Sequence, residues 1–489
     1  MSKKVIAAIV AAVVVLVGGG VGAYFYITNT PKNAYLLSEQ KSFESLNKYF
    51  SERYKNELKL ADEMADDSYN GSVTLGAELS EGLISTMGIP ESMVNSSEIE
   101  ISAAHDSKNK SSQFAINPTI ADSEIGNMSW SADKEFQYIE APILPQPLKF
   151  KNNEIIAGIE KLTGEKMEDT EGLTNETLNL NTIMSSSITK DDMDKIVEHY
   201  LKFVIENIDE ELFKKDKGQV EVLGNKQKLN NITLDMKDSD VKKLIIAVLK
   251  EAKDDKDLAK IFEKSDASID YKKEVEKVIK DAEKAENKDF PAIKSVIYVD
   301  GKDILKREMT ITADGEITKV DLDTKIDKEI DMALSISAKD AANFATIKGT
   351  SKGNKDFKDD YTLTINDEGT DATTINLTND EKVDGDKRTN DLAVKFASGS
   401  EEYAVNYKQD MTTDVKNNNQ KSSGTVSFDV QGETVKIFVD TKTKVKEALK
   451  VDVPEAQDVN QMSDKELQKV KDEVSQKVLG LFMAVQGGL

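Results

Sequence analysis

Hydrophobic and polar residues change their spacing several times along this chain, and each change predicts a different kind of element. The chain opens with an uncharged run from Val5 to Ile27, and apolar residues then recur at helical spacing from Asn33 to Met64. From Tyr69 onward they alternate with polar residues, as they do in half-buried strands. Helical spacing returns near Met193, and a second alternating region follows it. The pattern therefore predicts a mixed chain in which helices separate two sets of strands.

These changes divide the chain into six predicted segments. They are a cytoplasmic tip and transmembrane anchor at 1–30, a long helix at 33–66, N-terminal strands at 68–188, a helical region at 189–289, a C-terminal β-meander at 291–450 and a C-terminal helix at 460–485. The expected fold class is α+β, with a single N-terminal transmembrane helix followed by a large curved antiparallel β-sheet that packs with several amphipathic helices.

The run from Val5 to Ile27 is long enough to cross a bilayer, because as a helix it would extend roughly 35 Å at about 1.5 Å per residue. Lys3 and Lys4 precede it, which favours a cytoplasmic N-terminus and an extracellular remainder. A cleaved signal peptide is the alternative, since Val21-Gly22-Ala23 has the small residues that a signal peptidase accepts. N-terminal sequencing of the mature protein would separate the two.

The helix predicted at 33–66 carries an apolar stripe that includes Phe43, Leu46 and Phe50. Such a stripe usually packs against the rest of a domain, and a coiled-coil stalk is the alternative. We therefore expect this stripe to be buried.

Turn chemistry marks hairpins in the second alternating region. Asp300-Gly301 and Asp314-Gly315 are predicted hairpin turns, because Gly and Asp tolerate the positive φ that such turns need. The alternation around them predicts a sheet with one apolar face and one polar, solvent-exposed face. The charged segment from Asn379 to Asp391 contains Val383 as its one apolar anchor, and it is expected to be a mobile tip.

Composition narrows the range of partners. The net charge of −24 makes nucleic acid an unfavourable partner, because phosphates would be repelled. The chain has no cysteine, which excludes disulfides and thiolate metal sites. For an exported chain, this composition predicts a bacterial exoprotein from a Gram-positive source.

No residue in the sequence can be assigned to catalysis, to a cofactor or to a metal. His105 and His199 are the two histidines, and both are expected at the surface, since a zinc site would need further ligands. A nucleophile elbow and a phosphate-binding loop are absent after the first 30 residues. Acidic runs such as the one from Asp356 to Asp360 lack the spacing of a calcium loop.

The order of elements resembles the half-barrel architecture of bacterial lipoprotein carriers and lipid-binding lipoproteins. The likeness begins with a leading helix that ends in Leu60-Ala61-Asp62-Glu63-Met64 and extends to about Ala448. Locally, Ala34-Tyr35-Leu36-Leu37-Ser38-Glu39 and Ile304-Leu305-Lys306-Arg307-Glu308-Met309-Thr310-Ile311 resemble uncharacterised membrane-anchored envelope proteins of Gram-positive bacteria. The first resemblance implies a half-barrel-like meander, and the second implies a location but no chemistry.

Together these features predict a non-catalytic binding or scaffolding protein of the bacterial cell envelope. It would be a single-pass protein of the cell membrane, held by the span from Val5 to Ile27, and would bind lipid or peptide between sheet and helices or contact an envelope protein. The alternative is a carboxylate-dependent hydrolase of cell-wall polymers, which needs two acidic residues facing each other in a cleft.

Overall fold

The computed structural model describes residues 30–167, 173–185, 190–265, 270–338, 341–366, 371–430, 432–446 and 454–486. The helices within these ranges are α1 (Pro31–Arg53), α2 (Lys55–Asp66), α3 (Glu81–Met87), α4 (Ser92–Asn95), α5 (Ile155–Thr163), α6 (Leu180–Ser185), α7 (Lys190–Asn207), α8 (Asp238–Asp254), α9 (Lys256–Ser265), α10 (Tyr271–Lys284) and α11 (Asp464–Gln486). Short 3₁₀ turns lie at Glu210–Leu212, Asn287–Asp289 and Val459–Gln461.

Strands dominate the described chain. They are β1 (Tyr69–Leu79), β2 (Glu98–Asp106), β3 (Ser111–Ile120), β4 (Ser123–Glu124), β5 (Met128–Ala132), β6 (Phe136–Glu140), β7 (Leu148–Lys151), β8 (Phe213–Val222), β9 (Asn225–Met236), β10 (Ala292–Asp300), β11 (Asp303–Ala313), β12 (Glu316–Ile326), β13 (Ile330–Ala338), β14 (Ala341–Lys352), β15 (Asp356–Ile365), β16 (Thr373–Asp384), β17 (Lys387–Ser398), β18 (Glu401–Asp414), β19 (Asn419–Val430), β20 (Glu433–Val445) and β21 (Gln457–Asp458).

All 21 strands in the described residues belong to one sheet. Strands β8 to β20 are consecutive antiparallel neighbours, and β20 then pairs with β1, which continues the sheet through β2, β3, β5, β6 and β7. The strand β21 joins β7 in parallel, and β4 extends the sheet beside β3. The two strand regions of the sequence are therefore one continuous sheet, joined where the first strand of the chain meets the last long one.

This architecture corrects the predicted fold class. The expectation of a single transmembrane helix followed by a half-barrel-like meander is wrong: none of the helices in the described ranges is long and apolar enough to cross a membrane. The predicted span itself, Val5 to Ile27, lies outside the described residues. Three predictions that depended on this span are corrected with it. They are the membrane as a partner, the signal anchor, and the single-pass location with a cytoplasmic N-terminus.

The helices α1 and α2 run obliquely across one side of the sheet, and their contacts shift along the strands from β10 to β20. Successive residues along these helices contact successive strands. The contacts are Tyr35 with Ser295 of β10, Glu39 with Arg307 of β11, Arg53 with Asp359 of β15 and Glu381 of β16, Glu57 with Thr413 of β18, and Glu63 with Lys446 after β20.

Two apolar cores hold helices onto the two ends of the sheet. The larger core packs α1, α7 and α8 over β8 to β11, with Leu36, Ile205 and Leu244 on the helices and Ile232 and Ile297 on the strands. The smaller core joins β7, α5 and α11, with Phe150 and Val470 nearly or fully buried. Of the described helices, none besides α1 and α2 makes more than a marginal contact with β13 to β19. The middle of the sheet is therefore covered much less than its ends.

Candidate binding groove

The side chains that face α1 and α2 are almost all uncharged between β13 and β20. Alternation along a strand places every second residue on this side, which we call the helix side. The contacts of Asp359, Glu381 and Thr413 with the helices identify which residues these are. The charged residues on the helix side of these eight strands, within the described chain, are Asp359, Glu381, Arg388, Glu401 and Glu433.

Two neighbouring rows of paired residues on the helix side form an uncharged surface, which we call the apolar strip. One row is Leu334, Ile347, Leu363, Ile375, Phe396 and Tyr403. The other row, closer to the helices, is Met332, Gly349, Tyr361, Leu377, Val394, Val405, Phe428, Val435 and Leu79. Paired residues on one side of a sheet lie about 5 Å apart, so the strip is continuous across the strands.

The apolar strip stays partly open to solvent. None of its side chains is fully buried, and Phe396 and Tyr403 are 38% and 60% exposed. Phe357 and Thr413 lie on the same side but closer to α1 and α2, and both are buried. The helices therefore cover one part of this side of the sheet and leave the strip beside them uncovered.

One flank of α1 is polar and faces away from the strip. Lys41, Ser45, Lys48 and Glu52 line a cavity of about 800 Å³ together with strand turns that include 325–328. That turn precedes Ile330, the first residue of β13, whereas the strip begins at Met332 and continues away from the turn. This flank of the helix is thus directed toward the opposite end of the strands.

The other flank of α1 supplies a second apolar surface. Phe43, Leu46 and Phe50 lie about 160° around the helix from the polar flank, so they face the apolar strip. They are 45%, 37% and 43% exposed. Leu58 of α2 is also exposed, but it lies about 160° around the helix from the buried Leu60 and so faces away from the sheet. We call the strip and the apolar flank of α1 together the apolar groove, with the strip as its floor and that flank as its wall.

The floor is longer than the wall. The seven strand spacings from β13 to β20 correspond to about 34 Å, and the seven residues from Phe43 to Phe50 correspond to about 10 Å of helix. The hydrocarbon core of a bilayer is about 30 Å thick and contains two layers of acyl chains. The floor of the groove is therefore roughly twice as long as one such layer.

Two glycines let aromatic rings lie flat on the helix side of the sheet, one pair within the floor and the other beside it. A Cβ atom at Gly349 would come within 2.2 Å of the Tyr361 ring, and one at Gly424 would come within 2.9 Å of the Tyr407 ring. The rings therefore occupy the space above the glycine backbone, an arrangement known to stabilise glycine in strands. The hydroxyl of Tyr361 lies 2.8 Å from Ser351 Oγ, so its polar group is satisfied and its ring adds apolar surface.

A buried ion-pair network joins α1 and α2 to the sheet beside the floor of the groove. Arg53 Nη2 lies 2.6 Å from Asp359 Oδ2 and 2.8 Å from Glu381 Oε2. Arg388 pairs with Glu381 and with Glu57, and it also donates to the backbone carbonyl of Arg53. The side chains of Arg53, Glu381 and Arg388 are almost completely buried. The network fixes the junction of α1 and α2 over β15 to β17.

The pKa of Asp359 shows how strongly this network favours ionised groups. Burial alone raises the pKa of this carboxyl, but hydrogen bonds from Arg53, Ser351 and Asn379 outweigh burial, so the pKa lies below its ordinary value of 3.8. Burial alone lowers the pKa of Arg53, and its carboxylate partners more than reverse that effect. Both groups stay charged at neutral pH, so neither is suited to act as a general acid or a general base.

Acid is expected to destabilise the protein through Asp359. Because the pKa of this group is lower when folded than when unfolded, its contribution to stability is complete above about pH 3.8 and disappears as the pH falls below that value. We expect the free energy of unfolding to fall less steeply below pH 4 in Asp359→Asn than in the parent, measured by urea denaturation at a series of pH values. Asp360→Asn, on the exposed side of the same strand, should retain the parent slope; equal slopes in all three proteins would contradict the assignment.

Neither histidine belongs to the apolar strip, and the two differ from each other. His105, expected at the surface, is buried, and its Nδ1 lies 2.8 Å from Ser112 Oγ. The Ser112 hydroxyl donates to Asn181 Oδ1 at 2.7 Å, so it already has a partner and is not poised as a nucleophile. His199 is half-exposed and lies 2.8 Å from Glu251. The part of the chain that the structure describes contains no group of three or more His, Asp or Glu able to hold a metal.

Two expectations from the sequence are reversed at the groove. The segment from Asn379 to Asp391, predicted as a mobile tip, forms the ends of β16 and β17 and supplies Glu381 and Arg388 to the buried network. Its turn falls at Gly385, where φ is +62°, and the Asp384-Gly385 pair was the available hairpin signal. The apolar stripe of α1 was expected to be packed, whereas Phe43, Leu46 and Phe50 are exposed. In the same helix the polar residues Glu39 and Arg53 contact the sheet.

Comparison with known proteins does not identify a family or a function for this chain. No protein-family profile matches the sequence, and no curated protein matches it. One solved structure, described as the crystal structure of Pseudomonas aeruginosa OccK5 (OpdH), is 6% identical, with a TM-score of 0.23, over 78% of this chain and 99% of that chain. Another, described as the CymD monoaromatic hydrocarbon channel, is 6% identical, with a TM-score of 0.19, over 78% of this chain and 88% of that chain. At such TM-scores neither serves as a guide to function.

The predicted Gram-positive source is corrected as well. That source was inferred for an exported chain held by a membrane anchor, and none of the helices in the described ranges is long and apolar enough to cross a membrane. The single-pass cell-membrane location had depended on a spanning helix, which the described residues do not contain. Both predictions are therefore wrong.

Proposed function

We propose that this protein is a non-catalytic binding protein that holds an extended hydrocarbon chain, such as the acyl chain of a lipid, in the apolar groove. The observation that carries the proposal is the apolar strip, whose two rows contain no charged residue across β13 to β18 and remain partly exposed. A surface of this length that stays open on a folded chain indicates a binding site more often than a packing defect.

The chemistry of the groove favours a hydrocarbon over a peptide. A bound peptide would press its backbone N–H and C=O groups against the strip, where the strands already pair with each other on both sides and offer no free edge. Each unpaired backbone group would then cost on the order of 1–3 kcal/mol. A hydrocarbon has no such groups, so it gains apolar contact without that penalty.

A hydrolase receives no comparable support from the groove. The buried carboxylates at its border, Asp359 and Glu381, are both ion-paired with Arg53. A glycosidase would need one carboxyl group held protonated beside an ionised one. The lowered pKa of Asp359 is the reverse of what a general acid requires.

Chain length should control affinity if the proposal is right. Each CH₂ group buried in the groove contributes about 0.8 kcal/mol, so removal of two carbons should weaken binding by up to about tenfold. The measurement is a titration of the purified protein with a series of straight-chain alcohols, followed by displacement of an uncharged fluorescent lipid probe. Affinity that does not change with chain length, or the absence of binding by every alcohol, would refute acyl-chain binding. Dimerisation that buries the groove would instead indicate a second copy as its occupant.

A further inference from the structure

The open border of the groove, opposite the helices, carries negative charge. Glu401 and Glu433 are the first residues of β18 and β20, and both lie on the helix side just beyond the apolar strip. Tyr403, the most exposed residue of the strip, donates to Glu401 Oε2 at 3.4 Å. This contact places a carboxylate directly beside the apolar floor.

No free cation balances these carboxylates on the described surfaces of the groove. Arg388 is the one basic residue on the helix side of described strands β13 to β20, and it is buried and paired with Glu381 and Glu57. Lys41 and Lys48 of α1 lie on its opposite flank, at the polar cavity. A ligand lying in the groove therefore meets negative charge at the open border and neutralised charge at the wall.

We infer that the groove selects hydrocarbon chains whose polar end is uncharged or cationic and discriminates against chains that end in a carboxylate or a phosphate. The inference rests on the proposed function, since it describes which class of lipid the same groove accepts. An anionic head group at the border would be repelled by Glu401 and Glu433, because it would lie only a few ångströms from them in surroundings less polar than bulk water. An alcohol, an ester or an ammonium group would meet no such repulsion.

Three probes with the same chain and different ends test this inference. They are hexadecanol, palmitate and hexadecyltrimethylammonium, each used below its micelle concentration at neutral pH and moderate salt. We expect palmitate to bind at least about fivefold more weakly than the other two. In the double variant Glu401→Lys and Glu433→Lys, palmitate should become the tightest ligand of the three.

A matched control separates the local charge from the net charge of the protein. Glu402 and Asp429 are neighbours of the border residues and lie on the other side of the same sheet region, where both are exposed. The double variant Glu402→Lys and Asp429→Lys changes the net charge equally and should keep the parent order of affinities. Equal affinity for palmitate and hexadecanol in the parent would overturn the inference and leave acyl-chain binding intact, whereas failure of all three probes would overturn both.

Discussion

Replacement of Leu377 by Glu is expected to abolish hydrocarbon binding while leaving the protein folded. Leu377 lies in the middle of the floor, between Tyr361 and Val394, and is half-buried. A carboxylate at this position could stay hydrated in the empty groove, but a bound chain would strip water from it at a cost of several kcal/mol. That penalty corresponds to a loss of affinity of at least about a hundredfold.

The neighbouring residue offers a matched control for this variant. Thr378 is exposed on the opposite side of the same strand, so Thr378→Glu adds the same charge without entering the groove. It should bind straight-chain alcohols as the parent does. Leu377→Met, which conserves apolar volume, should also retain binding. Undiminished binding by a folded Leu377→Glu protein would locate the ligand elsewhere.

Replacement of Glu381 by Gln is expected to lower the free energy of unfolding by about 3–5 kcal/mol, since it leaves buried arginine charge without its partner. Glu381 is shared by Arg53 of α1 and Arg388 of β17, and all three side chains are almost completely buried. The remaining carboxylates, Asp359 and Glu57, each contact one of the two arginines. They cannot replace the group that joins both.

Asp380 supplies the control for this prediction. It pairs with Lys358 at 3.2 Å, but both side chains are largely exposed, and exposed pairs contribute about 0–1 kcal/mol. Asp380→Asn should therefore change the urea midpoint very little, whereas Glu381→Gln should lower it strongly. Similar midpoints for the two variants would show that the network adds little to stability.

Alternation and turn chemistry made the strands of this protein predictable, because the two faces of a half-buried strand appear in the sequence as alternating apolar and polar residues. Pairs such as Leu363 with Ile375 follow from that pattern. The join between β1 and β20 could not be predicted in the same way. It depends on contacts between residues more than 350 positions apart, such as Val73 and Thr441, and no local pattern encodes them.

The groove was harder to predict because apolar residues stay partly exposed on both of its surfaces, the strip and the flank of α1. An apolar stripe such as Phe43, Leu46 and Phe50 normally indicates a buried face, yet here it is left half-exposed. The face of α1 that packs on the sheet contains Arg53. In the sequence, its partners Asp359 and Glu381 look like ordinary solvent-exposed charges of strands and loops. Only the fold shows that these charges complement each other.

The path of α1 and α2 across the sheet has a consequence for how the chain assembles. The meander from β10 to β20 can form progressively, since each of its strands pairs with the one made just before it. In contrast, Arg53 and Glu63 reach partners at Glu381 and Lys446, and β1 needs β20. During synthesis α1 can pack on β8 to β11 once they have formed, but α2 and β1 must wait, undocked, until almost the whole chain has emerged. Such high contact order slows folding and prolongs exposure of an aggregation-prone strand edge.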